Sequence, residues 1–186
     1  MVVSKHLTVR EIAIKDIALI CRYWLESDSA FLTAMGVDLD KLPSKEALTT
    51  MLTLQINTDI KDKKTYALIW ELDNQPIGHS NVTDVEFGKT ANMHLHLWKS
   101  NNRKQGLGEQ LVKKSLPFYF NNLNLKTLIC QPLATNQAPN KTLEKVGFKF
   151  VKKHTTIPGL LNYLQEVNMW QLTLQNFNKN IQHKIS

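Results

Sequence analysis

The stretch Arg103-Lys104-Gln105-Gly106-Leu107-Gly108-Glu109 decides how the chain is read. A strand-like run, Met93-His94-Leu95-His96-Leu97-Trp98, comes before it, and a helix-like run starts at Gln110. Strand, short glycine loop and helix together make an anion site. Glycine lets the backbone approach a ligand, the first N–H groups of a helix lack partners within it, and the helix dipole adds partial positive charge. Two common phosphate loops do not fit. A Rossmann loop needs a third glycine where Leu111 stands, and a P-loop closes on Gly-Lys-Ser/Thr, whereas Gly108 is followed by Glu109-Gln110. For the hexapeptide alone, a helix start whose glycines serve tight packing is the plainer alternative.

A second block lies downstream: Asn136-Gln137-Ala138-Pro139-Asn140-Lys141-Thr142-Leu143-Glu144-Lys145-Val146-Gly147-Phe148. Pro139 suits the first position of a helix, where its missing N–H costs nothing. Leu143 and Val146 share one apolar face, Gly147 suits the left-handed residue that ends a helix, and Phe148 opens a strand. Together, Arg103-x-x-Gly106-x-Gly108 and the run from Asn136 to Glu144-Lys145-Val146-Gly147-Phe148 resemble the GNAT (GCN5-related) N-acetyltransferases, in particular their ribosomal-protein N-acetyltransferase-like branch. The resemblance covers residues 70–172 well and the first third loosely.

That resemblance implies an acyl-CoA N-acyltransferase fold, with acetyl-CoA (coenzyme A) as co-substrate and no metal. By the same resemblance, Arg103, Lys104, Gln105, Gly106, Leu107 and Gly108 hold the pyrophosphate. Leu97 and Trp98 lie at the thioester, where a backbone N–H polarises the carbonyl, and Asn136 and Asn140 touch the cofactor arm. The acceptor would be a small-molecule amine, or a protein N-terminus or lysine. The chain departs from the pattern at two positions: Pro139 stands where a serine is often found and Glu144 where a tyrosine is. The proton donor for the leaving thiolate is then Tyr119, Tyr163 or solvent. An acyl-CoA-binding protein without catalysis, or a ribosome- or RNA-associated factor, remains the alternative.

Composition sets outer bounds. With 186 residues, 42% hydrophobic and 21% charged, the chain has the make-up of one soluble globular domain. The expected division is a single domain over 1–174 and a mobile polar tail over 175–186. No apolar run reaches the ~20 residues that span a bilayer, and Met1-Val2-Val3-Ser4-Lys5-His6 is no signal sequence. Cys21 and Cys130 stand alone, which favours a reducing cytoplasm over a disulfide framework or zinc site. The net charge of +7 is scattered and carries no RNA-binding signature, so direct nucleic-acid binding is not expected as the main function. A homodimer is one arrangement open to it.

Periodicity yields strands over 7–12, 65–72, 77–87, 91–98, 125–131, 148–156 and 163–174. Helices are expected over 17–25, capped by Asp16, over 44–55, and from the glycine loop to 116, where Pro117 should end or kink the helix. A short helix lies within the second block, and 27–43 reads as a loop. The order β-α-α-β-β-β-α-β-α-β-β argues for a mixed α/β fold (α+β), a mostly antiparallel central sheet with helices on both faces.

The strand before the glycine loop carries a further signal. His94, His96 and Trp98 share one face, and Met93, Leu95 and Leu97 share the other, which is the expected core face. If the hairpin turns at Gly88-Lys89, then His79, Asn81 and Thr83 lie opposite Trp98, His96 and His94. Amine acetylation needs a base, because a lysine-like amine is protonated at neutral pH. His94 and His96 are the candidates. Hydrogen-bonded histidines on a half-buried sheet face are the other reading. A metal site from His79, His94 and His96 lacks a nearby carboxylate and is not expected.

Overall fold

The computed structural model describes residues 6–98 and 106–182. Seven strands form one sheet in the order β1-β2-β3-β4-β5-β7-β6. They are β1 (Leu7–Glu11), β2 (Tyr66–Leu72), β3 (Gln75–Glu86), β4 (Thr90–Leu97), β5 (Thr127–Cys130), β6 (Lys149–Thr156) and β7 (Gln165–Thr173). Every neighbouring pair is antiparallel except β4 and β5. The mixed, mostly antiparallel sheet is the expected one.

Helices cover both faces. On one lie α1 (Ile17–Glu26) and α3 (Lys45–Asn57), whose Ile17, Ile20, Cys21, Leu48 and Leu52 close over Ile69 of β2. On the other lie α4 (Leu107–Pro117) and α5 (Gln137–Val146), whose Leu111, Val112, Leu143 and Val146 join Leu68, Trp70 and Met93 in the larger core. Alternation along β2 thus feeds both cores from one strand. Gly147 ends α5 in the left-handed region, φ 102°, with its N–H on the carbonyls of Leu143 and Glu144. Pro139, expected first in that helix, stands third, because the helix begins at Gln137.

Several local expectations are corrected. Asp16 does not cap α1. Its carboxylate accepts from Ala13 N–H and takes a two-pronged bond from Arg10 at 2.6 and 2.8 Å. Within the expected loop 27–43 lie α2 (Ser29–Ala34), capped by Asp28, and a 3-10 turn at Leu39–Lys41. α4 passes at Pro117 into a π-helical turn, Phe118–Asn122. The tail carries α6 (Leu174–Gln182), anchored by Phe177, which is buried and stacked on Phe120 with centroids 4.6 Å apart.

The hairpin register also differs. His79 pairs with His96 and Asn81 with His94. The turn uses three residues between Glu86 and Thr90, and an irregularity between Thr83 and Glu86 adds one more step. A shift of two residues leaves every side chain on its expected face.

Candidate active site

β5 runs beside β4 only from Thr90↔Thr127 to Met93↔Cys130, and β4 continues to Leu97 after β5 has ended. The two strands part there. A cleft of about 260 Å³ opens at the parting, with Met93, Leu95 and Cys130 at its floor. Asn136 and Pro139 of the β5–α5 connection line one side. Trp24, Met35, Val37, Leu48 and Met51, from α1, the following loop and α3, line the other, and Pro158–Asn162 of the β6–β7 loop closes over it.

The amides of β4 are sorted by pairing. Trp98 N–H donates to Ile77 C=O at 3.0 Å, toward β3. Because amides alternate along an antiparallel strand, those of Leu95 and Leu97 point to the β5 side, where the strands part. Trp98 itself does not line the cleft; its indole N–H donates to His79 Nδ1 at 2.8 Å.

His79, His94 and His96 all line the cleft, with Asn81 and Thr83 on the same face. His96 Nδ1 shares a hydrogen bond with the Tyr23 hydroxyl at 3.1 Å, and its ring meets Trp24 edge-on at 4.9 Å. His94 Nε2 shares one with Thr83 Oγ1 at 3.2 Å. Gly159 packs so closely on His94 that an added Cβ would stand 3.2 Å from its Cε1. Burial lowers all three imidazoles. His79 falls to about 3 and His94 to about 4, and His96, further opposed by His79 and His94, lies well below the ordinary value. At neutral pH the three are uncharged. Among the described residues no group of three His, Cys, Asp or Glu is placed to hold a metal ion.

The glycine loop falls partly outside the described residues: Arg103, Lys104 and Gln105 lie there. Gly106 stands at the start of α4 with φ 72°, a left-handed conformation that favours glycine, and no side chain caps the helix. Leu107 is buried in the core, so of the pair Leu107-Gly108 it is the backbone that can face a ligand. Glu109 turns along the helix to Lys113.

Asn136 lines the cleft and makes no cap bond to α5. Asn140 is different: it faces inward. Its Nδ2 donates to the carbonyls of Leu133 and Asn136, and its Oδ1 accepts from Asn168 Nδ2 and Trp170 Nε1. The amide's capacity is filled by the protein, so the expected cofactor contact is replaced by a clamp between α5, the turn before it and β7. Tyr119 is also removed as a proton donor: it is buried on the opposite face, bonded to Ser80, and its phenol is raised by burial. Tyr163 lies outside the cleft lining.

Tyr23, Trp24 and Gln165 are parts of this site that sequence reasoning did not assign. Tyr23 and Trp24 carried the apolar stripe of α1, and nothing local shows that they reach His96. A larger hollow of about 360 Å³ lies elsewhere, lined by Glu11, Lys63, Tyr66 and Asn122. Most of its polar groups are taken up by one another and by the end of α3: Tyr66 bonds Glu11, Asn122 bonds Tyr66, and Lys63 bonds the carbonyl of Gln55, whose Oε1 is left without a partner and whose side chain lines both hollows.

Residues 6–149 match the family model of the acetyltransferase (GNAT) domain, and the chain belongs to that family. Solved structures share the fold across most of its length. The ribosomal L7/L12 alpha-N-protein acetyltransferase RimL, in complex with coenzyme A, superposes with TM-score 0.74 at 16% identity, covering 91% of this chain and 95% of that one. A spermidine N-acetyltransferase from Vibrio cholerae with coenzyme A and spermine gives 0.75 at 15%, covering 92% and 98%. An aminoglycoside acetyltransferase with coenzyme A gives 0.72 at 16%, covering 95% and 99%. No curated protein sequence matches the chain.

Proposed function

We propose that the chain transfers an acetyl group from acetyl-CoA to a primary amine by direct attack. The observation that carries this reading is the cleft at the parting of β4 and β5, with Asn136 in its lining and a face of neutral imidazoles within it. Family membership supports acetyl-CoA as the donor, as do relatives of the same fold solved with coenzyme A. In this reading Arg103, Lys104, Gln105 and the backbone from Gly106 to Gly108 bind the pyrophosphate at the start of α4. Asn136 steadies the pantetheine arm. The Leu97 amide, on the side of β4 where the strands part, polarises the thioester carbonyl.

The amine nitrogen adds its lone pair to the carbonyl carbon, the C–S bond breaks, coenzyme A leaves as the thiolate, and the nitrogen gives up its surplus proton to water as the neutral amide forms. The amine must first shed a proton. Imidazoles as weakly basic as His79 and His94 are poor proton stores at pH 7, because a base works best with a pKa near the working pH. His94 and His96 therefore act by holding a water or the amine in line as acceptors, and the proton passes through that water to solvent. The hydrogen bond shared by His96 Nδ1 and the Tyr23 hydroxyl fixes the orientation of that ring.

Among the described residues, no side chain supplies a strong acid to the thiolate. Pro139 occupies the cleft where a hydroxyl is often found. Burial pushes the Cys130 thiol up to about 12, so it does not protonate a thiolate of ordinary basicity, about 8.5. The thiolate takes its proton from solvent. This same feature favours the second reading, a protein that binds acyl-CoA without turning it over. Thiol release from acetyl-CoA across an amine panel, paired with calorimetry of coenzyme A binding, separates the two. Amine-dependent release supports transfer, and tight binding with no release supports the binding protein.

A further inference from the structure

The cleft has no charge of its own. Among the described residues, none that lines it is Asp, Glu, Lys or Arg. All 16 acidic residues of the chain fall among the described residues, so the segments outside the description add no carboxylate. The titratable groups that face it are His79, His94 and His96 from β3 and β4, all neutral, and Cys130 from β5, held as the thiol. Asp84 stands behind His94, exposed and bonded to Thr83 and Asn92. The mouth is apolar: Met51 and Leu160, both lining residues, are 51% and 77% exposed.

Two polar atoms of the lining are buried without a partner, Gln55 Oε1 and Gln165 Oε1. Both are neutral acceptors. Gln165 is 6% exposed and tucked under Gly36, to whose carbonyl its Nε2 donates at 3.3 Å. An orphaned buried acceptor is costly and calls for a donor. Such a wall offers an ammonium no counter-charge. A polyamine or aminoglycoside would have to leave water with several charges unpaired, which is strongly unfavourable.

We infer that the acceptor is a weakly basic primary amine carried on an apolar group, which enters the cleft uncharged. This rests on the transferase reading and narrows it. The apolar wall from α1, α3 and the β6–β7 loop holds the body of the acceptor. The low-dielectric cleft selects the neutral amine, since burial disfavours the charged form. That selection does the work that no strong base in the cleft performs.

The test uses the full chain with acetyl-CoA, following thiol release, and calorimetry on the coenzyme A complex for acceptor binding. The acceptors are phenylalaninamide, phenethylamine, a short peptide beginning with Phe, and spermidine. Phenylalaninamide or the peptide should exceed spermidine at least tenfold in kcat/KM at pH 7.5 and in affinity; the better of these two shows whether a small molecule or a chain terminus is the source. The rise of kcat/KM with pH should move upward from phenylalaninamide to the more basic phenethylamine. Met51→Glu, at an exposed position that tolerates the charge, should shift the preference at least tenfold toward spermidine. Spermidine as the best acceptor, or a pH midpoint that stays fixed when the amine changes, overturns the inference while leaving acetyl transfer standing. No thiol release from any amine overturns the transferase reading itself, and calorimetry then still ranks the acceptors: spermidine bound as tightly as phenylalaninamide contradicts the inference on its own.

Discussion

The rings of His79 and His96 lie stacked, centroids 4.5 Å apart and 20° from parallel, directly opposite each other across the β3–β4 ladder. Two imidazolium ions would repel strongly at that distance, and neither has a carboxylate to answer it. The stack therefore fixes both residues as neutral, and it ties stability to pH.

In the unfolded chain His79 takes up a proton below the ordinary value of about 6.5, whereas in the folded chain it does so only near 3. Between those values the unfolded state binds more protons, so stability rises with pH and falls on acidification. Each such histidine contributes about 1.4 kcal/mol per pH unit in that window. Urea unfolding at pH 6.5 and 4.5 should show a loss of roughly 2 kcal/mol from the enclosed His79 alone. His79→Phe should flatten the slope, even though it is less stable overall for want of the Trp98 bond. A slope unchanged by that substitution contradicts the assignment.

Replacing His94 and His96 together with Gln should lower kcat by roughly 10²-fold, the size of effect that misplacing a reactant produces, because the acceptors that hold the water or the amine in line are lost. Acetyl-CoA affinity should stay within about twofold, because the imidazoles face the amine side. Single-turnover kinetics beside calorimetry checks both halves.

Gly106 separates conformation from charge. Asn tolerates φ 72° at least as well as Asp does, but carries no charge. An added Cβ at Gly106 meets nothing within 4 Å, so both variants should fold. Gly106→Asn should keep acetyl-CoA affinity within about tenfold, whereas Gly106→Asp should weaken it by 100-fold or more, since an anion then sits where the proposed reading puts the pyrophosphate. Equal losses would mean that the loop acts through its shape alone.

Arg10 joins β1 to the start of α1. It grips Asp16, which is 1% exposed, and reaches Glu71 at 2.8 Å. Burial pushes the Asp16 carboxyl up, but the Arg10 bonds, the Ala13 N–H and the nearby positive charge outweigh it and hold it below its usual value. Arg10→Met strands that carboxylate and should cost about 3–5 kcal/mol, the usual result of breaking a buried pair from one side. The double variant Arg10→Met, Asp16→Asn should recover a large part of the loss in chemical denaturation.

Local signals carried much of this structure. The sheet faces followed from alternation, and they survived a register shift of two because parity was kept. Gly106 and Gly147 announced the two left-handed positions that begin α4 and end α5. What could not be read depends on contacts remote in sequence. Asn140 looks like Asn136 by position, yet it is spent on Trp170 and Asn168 of β7. The tail seemed polar because Leu174 and Phe177 are diluted among Asn, Gln and Lys, and only the site beside Phe120 gives them something to cover. Tyr23 reaches His96 from 73 positions away. The uncharged wall of the cleft is assembled from eight separate stretches of chain, from α1 to the start of β7.

The most direct test of the central claim is thiol release from acetyl-CoA by the full chain, with and without phenylalaninamide, set beside Gly106→Asp. Acetyl transfer to an amine predicts release that requires the amine, yields the N-acetyl product in equal amount by mass spectrometry, and is lost in the variant. Release that ignores the amine, or none at all from a protein that still binds coenzyme A, would contradict it.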